Sequence, residues 1–374
     1  MRILFETIGI LVHYNFALPH YLIRMKGIEE VNLLTGLFPI IMGGHYYISK
    51  SLKRKLRVTL YRSGVDLIDK LVSVTYFKNN ALMNVIQNQY NYSIIHLNTT
   101  EYLNVFAKLK IPKLLVLHGS PDYVGERGCR ALENVYAKID AFVTVSFHAS
   151  RVLRERCGFV PTHVIHHGVD VELFNPLTYS KNQAKRSLGL PLDKKIILWN
   201  ARLSPEKKIE TLLYALPYVI REVRDVLAVI KTRAVVKDYE VKVKRIIDRL
   251  NLSRYVVIDK SWSPLNDMPM YYRAADVYVN TSTTEAFGSL AMLEAMACGI
   301  PTIANNASSN PEALGDGGLL YDRNSSTDLA DKILKVLIDE KHAKLLGYKA
   351  FKRVLNELTL HNIAQKYLSL YFSL

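Results

Sequence analysis

Short, unbroken apolar runs separated by helix-length amphipathic stretches constrain this chain more than any other feature. A first series of candidate strands comprises Val31–Leu34, Val58–Tyr61, Ile94–Leu97, Leu114–Leu117, Ala141–Val145 and His163–His166. A second comprises Ile196–Trp199, Leu227–Ile230, Tyr255–Ile258, Val277–Val279 and Thr302–Ala304. Strands apolar on both faces and alternating with helices imply parallel sheets covered by helices on either side. Two such series imply two doubly wound α/β domains rather than one barrel. The polar stretch Asn175–Gln183, with Pro176 and no clear periodicity, marks the junction. No internal repeat or low-complexity tract interrupts the pattern.

The front of the chain offers two competing first strands, Met1–Phe5 and Val31–Thr35, and only the second leads into a glycine pair. Residues 1–30 are therefore set apart as an N-terminal extension of uncertain structure, 31–178 as the first domain, 179–356 as the second and 357–374 as a closing segment. The basic, aromatic stretch His13–Lys26 lacks a cleavage site after a clean apolar core, so it does not read as a signal peptide. A membrane-surface helix, an extra packed helix and a start at Met25 all stay open for it.

At 374 residues the chain exceeds what one core usually supports, and 49% hydrophobic residues suffice for two. A mean hydropathy of +0.05 excludes a disordered chain. Three cysteines, Cys129, Cys157 and Cys298, form no CxxC pair and cannot all pair internally. No disulfide framework or structural zinc site is expected, and a reducing, cytoplasmic compartment fits. No apolar run reaches the ~18 residues of a membrane span. The formal charge of +15 leaves nucleic acid, an anionic membrane surface or phosphorylated small molecules as partners. Its densest run, Lys50, Lys53, Arg54, Lys55 and Arg57, reads equally as a solvated helix face.

Several motifs fall at strand ends, where open α/β sheets place ligands. Gly43-Gly44 follows Val31–Thr35 and opens a helix reaching about Lys55; it serves either a tight turn or a close approach to phosphate. His118-Gly119 ends the strand Leu114–Leu117, with His118 suited to a sugar hydroxyl or simply satisfied in a turn. His96, His166 and His167 occupy similar ends, without metal-ligand spacing. Arg202 and Lys207 follow Ile196–Trp199 ahead of a helix, Ile209–Val219; there they clamp a diphosphate or decorate the surface. The densest signal is Thr284–Pro301. Glu285 lies in the loop after a strand, a turn at Phe287, Gly288 and Ser289 leads into an apolar helix, and that helix carries Glu294. An acid among apolar neighbours is costly unless paired or binding, and vicinal ribose hydroxyls suit it.

Together these motifs resemble the retaining GT-B glycosyltransferases of glycosyltransferase family four. The likeness covers roughly residues 31–374. It takes in Val164–Asp170 with Phe174, Met270–Val277, Pro311-Glu312, Gly317–Asp322 and the closing helix Ile363–Tyr371. The resemblance implies a GT-B fold, two Rossmann-like domains facing a cleft, the first on the acceptor side and the closing helix crossing back to it. It implies that Arg202 and Lys207 hold the donor diphosphate, that Glu294 binds the ribose and that Glu285 meets the transferred sugar. Phe287, Gly288 and Ser289 would support sugar and phosphate through backbone groups, Gly43 and Gly44 would approach the diphosphate, and His118 would lie near the sugar. No cofactor is required beyond the nucleotide-diphosphate sugar itself, with UDP or GDP as the base carrier. No Asp-x-Asp occurs to hold a metal, so the two cations take its place.

Three departures stand out. Eight residues separate Glu285 from Glu294, one more than the family's usual seven, and at ~100° per helical residue an extra residue within the helix would misdirect Glu294. Absorption in the turn at Gly288-Ser289 avoids this. The strand Leu227–Ile230 ends in Lys231-Thr232-Arg233 where the family has a glycine-rich loop, and Ala201 and Lys208 replace glycines beside the basic pair. The expected partners are a nucleotide sugar, a glycan or lipid-linked acceptor and an anionic membrane surface at the inner face, with nucleic acid excluded. A nucleotide-sugar epimerase or phosphorylase of the same fold is the alternative, and a non-catalytic basic membrane-binding protein a more distant one.

Overall fold

The computed structural model describes residues 109–158 and 161–374 throughout; before them it describes 2–6, 18, 21–22, 25–26, 30–35, 56–60, 93–98 and 106–107. The chain divides into two compact units, Met1–Gly168 with Leu360–Leu374, and Val169–Thr359. These boundaries fall ten residues before and three residues after the expected ones at 178/179 and 356/357.

The first unit is built on a parallel sheet of β1 (Arg2–Glu6), β2 (Glu30–Thr35), β3 (Leu56–Leu60), β4 (Ile94–Leu97), β5 (Lys113–Leu117), β6 (Ala141–Thr144) and β7 (His163–Val164). Its strand order is β3-β2-β1-β4-β5-β6-β7. Both candidate first strands are thus real: β1 pairs with β2 on one side and β4 on the other, in the middle of the sheet. Strand β1, within the stretch set apart as an extension, is a central part of this sheet. Gly43, Gly44 and the cations Lys50, Lys53, Arg54 and Lys55 lie outside the described residues. Arg57, read as part of a basic helix, stands in β3.

Helices α1 (Glu126–Tyr136) and α2 (Phe147–Cys157) flank the second half of the sheet. Ser146 starts α2 by accepting from the Ala149 amide at 3.0 Å. A disulfide joins Cys129 on α1 to Cys157 on α2, one bridge where no disulfide framework was expected. The two helices pack side by side and bring the Cα atoms within 5.1 Å, a proximity that sequence spacing does not reveal. With that pair oxidised, cysteine usage no longer argues for a reducing compartment. Cys298 is a buried free thiol.

In the second unit the order is β10-β9-β8-β11-β12-β13, again all parallel. The strands are β8 (Lys195–Asn200), β9 (Val226–Lys231), β10 (Val256–Asp259), β11 (Val277–Asn280), β12 (Thr302–Asn305) and β13 (Gly318–Tyr321). Its helices are α3 (Lys181–Ser187), α4 (Ile209–Glu222), α5 (Lys237–Arg249), α6 (Met268–Ala274), α7 (Leu290–Ala297), α8 (Asn310–Leu314), α9 (Ser326–Ile338) and α10 (Glu340–Glu357). Every residue of β9 and β11 is buried, as strands covered on both faces require. On α4, Ile209, Leu212, Leu213, Leu216 and Val219 recur at helical spacing and are fully buried against Ile197, Ile230 and Val279. The final helix, α11 (Leu360–Ser373), belongs to the first unit. No helix among the described residues is long and apolar enough to cross a membrane.

Candidate active site

Strand order in the second unit reverses between β8 and β11, so the loops after these two strands flank the switch point where such sheets bind ligands. Arg202 and Lys207 lie on the first loop and Glu285 on the second. The loops are laced together: the Thr281 hydroxyl donates to the Lys207 carbonyl at 2.5 Å and accepts from the Trp199 indole at 2.8 Å.

At their meeting point the Lys207 ammonium donates to Glu285 Oε1 at 2.6 Å, with both side chains largely buried. Arg202 is more exposed and donates from Nη2 to Glu206 Oε1 at 2.7 Å. Glu206 also accepts from Ser204 Oγ at 2.6 Å. Burial pushes the Glu206 carboxyl up, but the Ser204 bond, its own amide and the two cations outweigh this and leave it below its ordinary value. Lys208 occupies a left-handed conformation, φ 50°, which accounts for glycine as the comfortable residue there.

The turn Glu285–Ser289 lies wholly outside the helix, because α7 begins at Leu290 with Ser289 as its cap. Gly288 has φ 52°, and a Cβ there would meet Met292 Cε at 2.4 Å and Ala313 Cβ at 2.9 Å. All of Glu285–Ser289 precedes the helix, where an added residue does not rotate Glu294 about the helix axis. On α7, Glu294 accepts from the Tyr272 hydroxyl at 2.5 Å, and Tyr272 in turn accepts from Asn200 Nδ2 at 2.9 Å. Burial raises the Glu294 carboxyl to about 7, although the Tyr272 bond and the nearby Arg233 pull it down.

At the end of β9, Lys231 is buried and its ammonium donates to Asp259 Oδ2 at 3.0 Å, the Ser261 carbonyl at 2.9 Å and Tyr271 Oη at 3.0 Å. This cation is a structural tie. Arg233, two residues on, is exposed and reaches Glu294 electrostatically.

The first unit gathers histidines. Asn98 Oδ1 accepts from Nε2 of His118 at 2.6 Å and from Nε2 of His96 at 3.2 Å. With the amide so oriented, both rings carry their proton on Nε2 and accept on Nδ1. His96 then accepts from the Tyr371 hydroxyl of α11 at 2.6 Å, and His118 from His167 Nε2 at 2.9 Å. Burial drives all three rings to the neutral form, His118 to about 3 and His96 and His167 well below their ordinary value. Both ring nitrogens of His118 are engaged, so a sugar hydroxyl would reach one only by displacing Asn98 or His167.

The second unit therefore brings Arg202, Lys207, Glu285, Phe287, Gly288, Ser289 and Glu294 to one end of its sheet. Sequence reasoning passed over Glu206, Asn200 and Tyr272. Met270–Val277 contained the only hint of Tyr272, since a tyrosine can spare a hydroxyl for a buried acid. Asn98 gave no signal beyond standing just after a strand.

Two parallel-sheet α/β units of this kind are the build of the GT-B glycosyltransferases. The chain belongs to that class: residues 180–353 match the family described as "Glycosyl transferases group 1", and residues 49–173 match "Glycosyltransferase Family 4". Among curated relatives, the D-inositol 3-phosphate glycosyltransferase of Mycolicibacterium smegmatis is 35% identical over 182 residues, 48% of this chain and 41% of that one. A GDP-mannose-dependent alpha-(1-6)-phosphatidylinositol monomannoside mannosyltransferase of the same organism is 27% identical over 211 residues, 53% of this chain and 54% of the other. The chain spans about 41% to 64% of the length of the first curated relatives it matches. Among solved structures, Anabaena HepE in complex with UDP and glucose aligns with a TM-score of 0.76 at 22% identity, over 100% of both chains. A glycosyltransferase from Rickettsia africae aligns at 0.78 and 19% identity, over 99% of this chain and 97% of that one. At such identities these structures speak to the fold alone.

Proposed function

We propose that the protein moves a hexosyl group from a UDP- or GDP-sugar to a glycan or lipid-linked acceptor, with retention at the anomeric carbon and without a required metal. The observation that carries this reading is the Lys207–Glu285 pair at 2.6 Å, which sets a cation and an anion side by side at the switch point. Breaking the sugar–phosphate bond leaves its electron pair on the diphosphate and positive character on the sugar ring. A fixed cation facing the first and a fixed carboxylate facing the second stabilise both, and such preorganised charges supply several kcal/mol of transition-state stabilisation. Arg202 adds a second cation on the diphosphate side. The acceptor hydroxyl then bonds to the anomeric carbon from the face the diphosphate leaves, and its proton passes to the departing phosphate oxygen. Glu294 accepts from the ribose. GDP-mannose dependence in the mycolicibacterial relative supports a nucleotide-diphosphate sugar as the donor.

A thermal-shift screen of UDP-, GDP- and ADP-sugars identifies the donor, because a ligand bound only by the folded state raises the melting temperature. Arg202→Ala and Lys207→Ala should each lower kcat/KM at least about 100-fold with the fold intact. EDTA should leave the rate unchanged, and the product should keep the donor's anomeric configuration by NMR. Near-normal activity in both variants would refute the assignment.

We extend the reading to peripheral association with an anionic bilayer, supported by the charge of +15 and by basic residues adding about 1 kcal/mol each near such a surface. The full chain should co-sediment with phosphatidylglycerol-containing vesicles at low salt and not with phosphatidylcholine alone. No binding to the anionic vesicles would sink the membrane part while leaving the transfer reaction standing.

A further inference from the structure

The loop after β12 touches the back of the Glu285 turn, and nothing in the reaction as described uses it. Ser308 Oγ donates to the Glu285 carbonyl at 2.7 Å and accepts from the Glu285 amide at 3.2 Å. Ser309 Oγ donates to the same carbonyl at 2.8 Å and accepts from the Gly288 amide at 3.0 Å. The peptide of Glu285 is therefore held on both its donor and its acceptor by two hydroxyls from more than twenty residues away. Asn310 extends the brace: its Nδ2 donates to the Ser282 carbonyl at 3.0 Å, and its Oδ1 accepts from Asn280 Nδ2 at 3.2 Å. Ser309 and Asn310 are fully buried.

A second observation is independent of these bonds. Ser308 adopts φ 53°, the left-handed conformation that disfavours any residue with a Cβ. Glycine would fit that backbone more comfortably but would bring no hydroxyl. A strained residue held by its surroundings points towards a function for what the strain delivers, here an oxygen within reach of both polar atoms of the Glu285 peptide.

We infer that Ser308 and Ser309 are positioning residues that lock the Glu285 turn, fixing the carboxylate against Lys207 so that it meets the transferred sugar in one geometry. The inference rests on the role given to Glu285 above. Misplacing a reacting group by about 1 Å costs on the order of 100-fold in rate, so loosening this turn falls on kcat. Donor binding, carried by Arg202, Lys207 and Glu294, is largely spared.

The test uses the full-length protein and the nucleotide sugar that gives the largest thermal shift in a panel of UDP-glucose, UDP-N-acetylglucosamine, GDP-mannose and ADP-glucose. Ser308→Gly removes the hydroxyl and also the strain, so its melting temperature should equal or exceed that of the parent while kcat falls at least about tenfold. Ser308→Ala removes the hydroxyl and keeps the strain, so it should lose both stability and kcat. Ser309→Ala should lower kcat at least about tenfold with the donor KM changed less than about threefold. A structural role alone would move activity and stability together, and Ser308→Gly sets them against each other. Parental kcat, within twofold, in both Ser308→Gly and Ser309→Ala overturns the inference. So does a kcat loss in Ser308→Gly that merely follows a lost folded fraction. Glu285→Gln separates the two levels: full activity in that variant refutes the role of Glu285 and the latch with it. An inactive Glu285→Gln beside fully active serine variants refutes the latch alone.

Discussion

Glu294 stands on α7 among Met292, Leu293, Ala295 and Met296, all fully buried, and its hydrogen-bond donor is an un-ionised tyrosine rather than a cation. Burial opposes its charge and lifts its carboxyl from an ordinary 4.5 to about 7. In the unfolded chain the same group titrates at its ordinary value. The folded state therefore holds a proton that the unfolded state releases between pH 4.5 and about 7. By linkage, stability is fullest below that window and declines as pH rises through it. On the proposed role of Glu294, ribose binding would run the other way, because a carboxylate accepts from two hydroxyls where the protonated acid also offers a donor. Donor affinity should rise several-fold from pH 6 to pH 8, while the melting temperature falls. Glu294→Gln should bind weakly at every pH and lose its share of the melting-temperature slope. An intact nucleotide sugar is the right probe, since its diphosphate lacks the terminal phosphate whose second proton leaves near pH 6. A flat affinity profile for the parent protein would show that Glu294 is ionised throughout.

Secondary-structure elements were legible to the degree that burial acts on both faces of a strand. Ile94–Leu97 was readable to the residue because all four of its side chains are buried, and β8, β9 and β11 were short only at their ends. The edge strands fared worse. Strand β7 is two residues long where four were expected, since only β6 pairs with it. Strand β13 was missed. It begins at Gly318, whose missing side chain is required because a Cβ there would stand 2.3 Å from the Thr302 carbonyl oxygen, and the same glycine removes the β-branched signal. At the candidate site, the residues whose chemistry is written in their type, Arg202, Lys207, Glu285 and Glu294, stand out in the sequence, and the fold brings them to one end of the second sheet. Those whose role depends on a distant partner do not stand out. Ser308, Tyr272 and Asn98 are ordinary residues until the fold sets them beside Glu285, Glu294 and His118. The disulfide belongs with them, since only packing of α1 against α2 makes Cys129 and Cys157 neighbours.

At the scale of the whole molecule, chain order and structural membership part company at the C-terminus. Helix α11 follows the second unit in sequence yet is part of the first, where Ile363, Tyr367, Leu370 and Tyr371 are buried. Gly168 shows how close the packing is: a Cβ there would stand 2.8 Å from Ile363 Cγ1 and 3.1 Å from the Leu360 backbone. Tyr371 also supplies the hydroxyl that His96 accepts, and through Asn98 that bond bears on His118. Deleting residues 360–374 removes these buried side chains, and each large core residue lost costs about 2–5 kcal/mol, together a loss as large as the ~5–15 kcal/mol that holds a domain folded. The second unit has its own core around Ile197, Leu213, Ile230 and Ile333, to which residues 360–374 contribute nothing. Calorimetry of a chain ending at Thr359 should therefore lose the transition of the first unit and keep that of the second. The truncated chain should still be stabilised by the donor nucleotide through Arg202, Lys207 and Glu294, with transfer abolished. Tyr371→Phe supplies the finer arm: it deletes one hydroxyl, leaves both transitions in place and lowers kcat only if the orientation of His118 matters to the reaction. Loss of both transitions on truncation would show that the second unit does not stand on its own core.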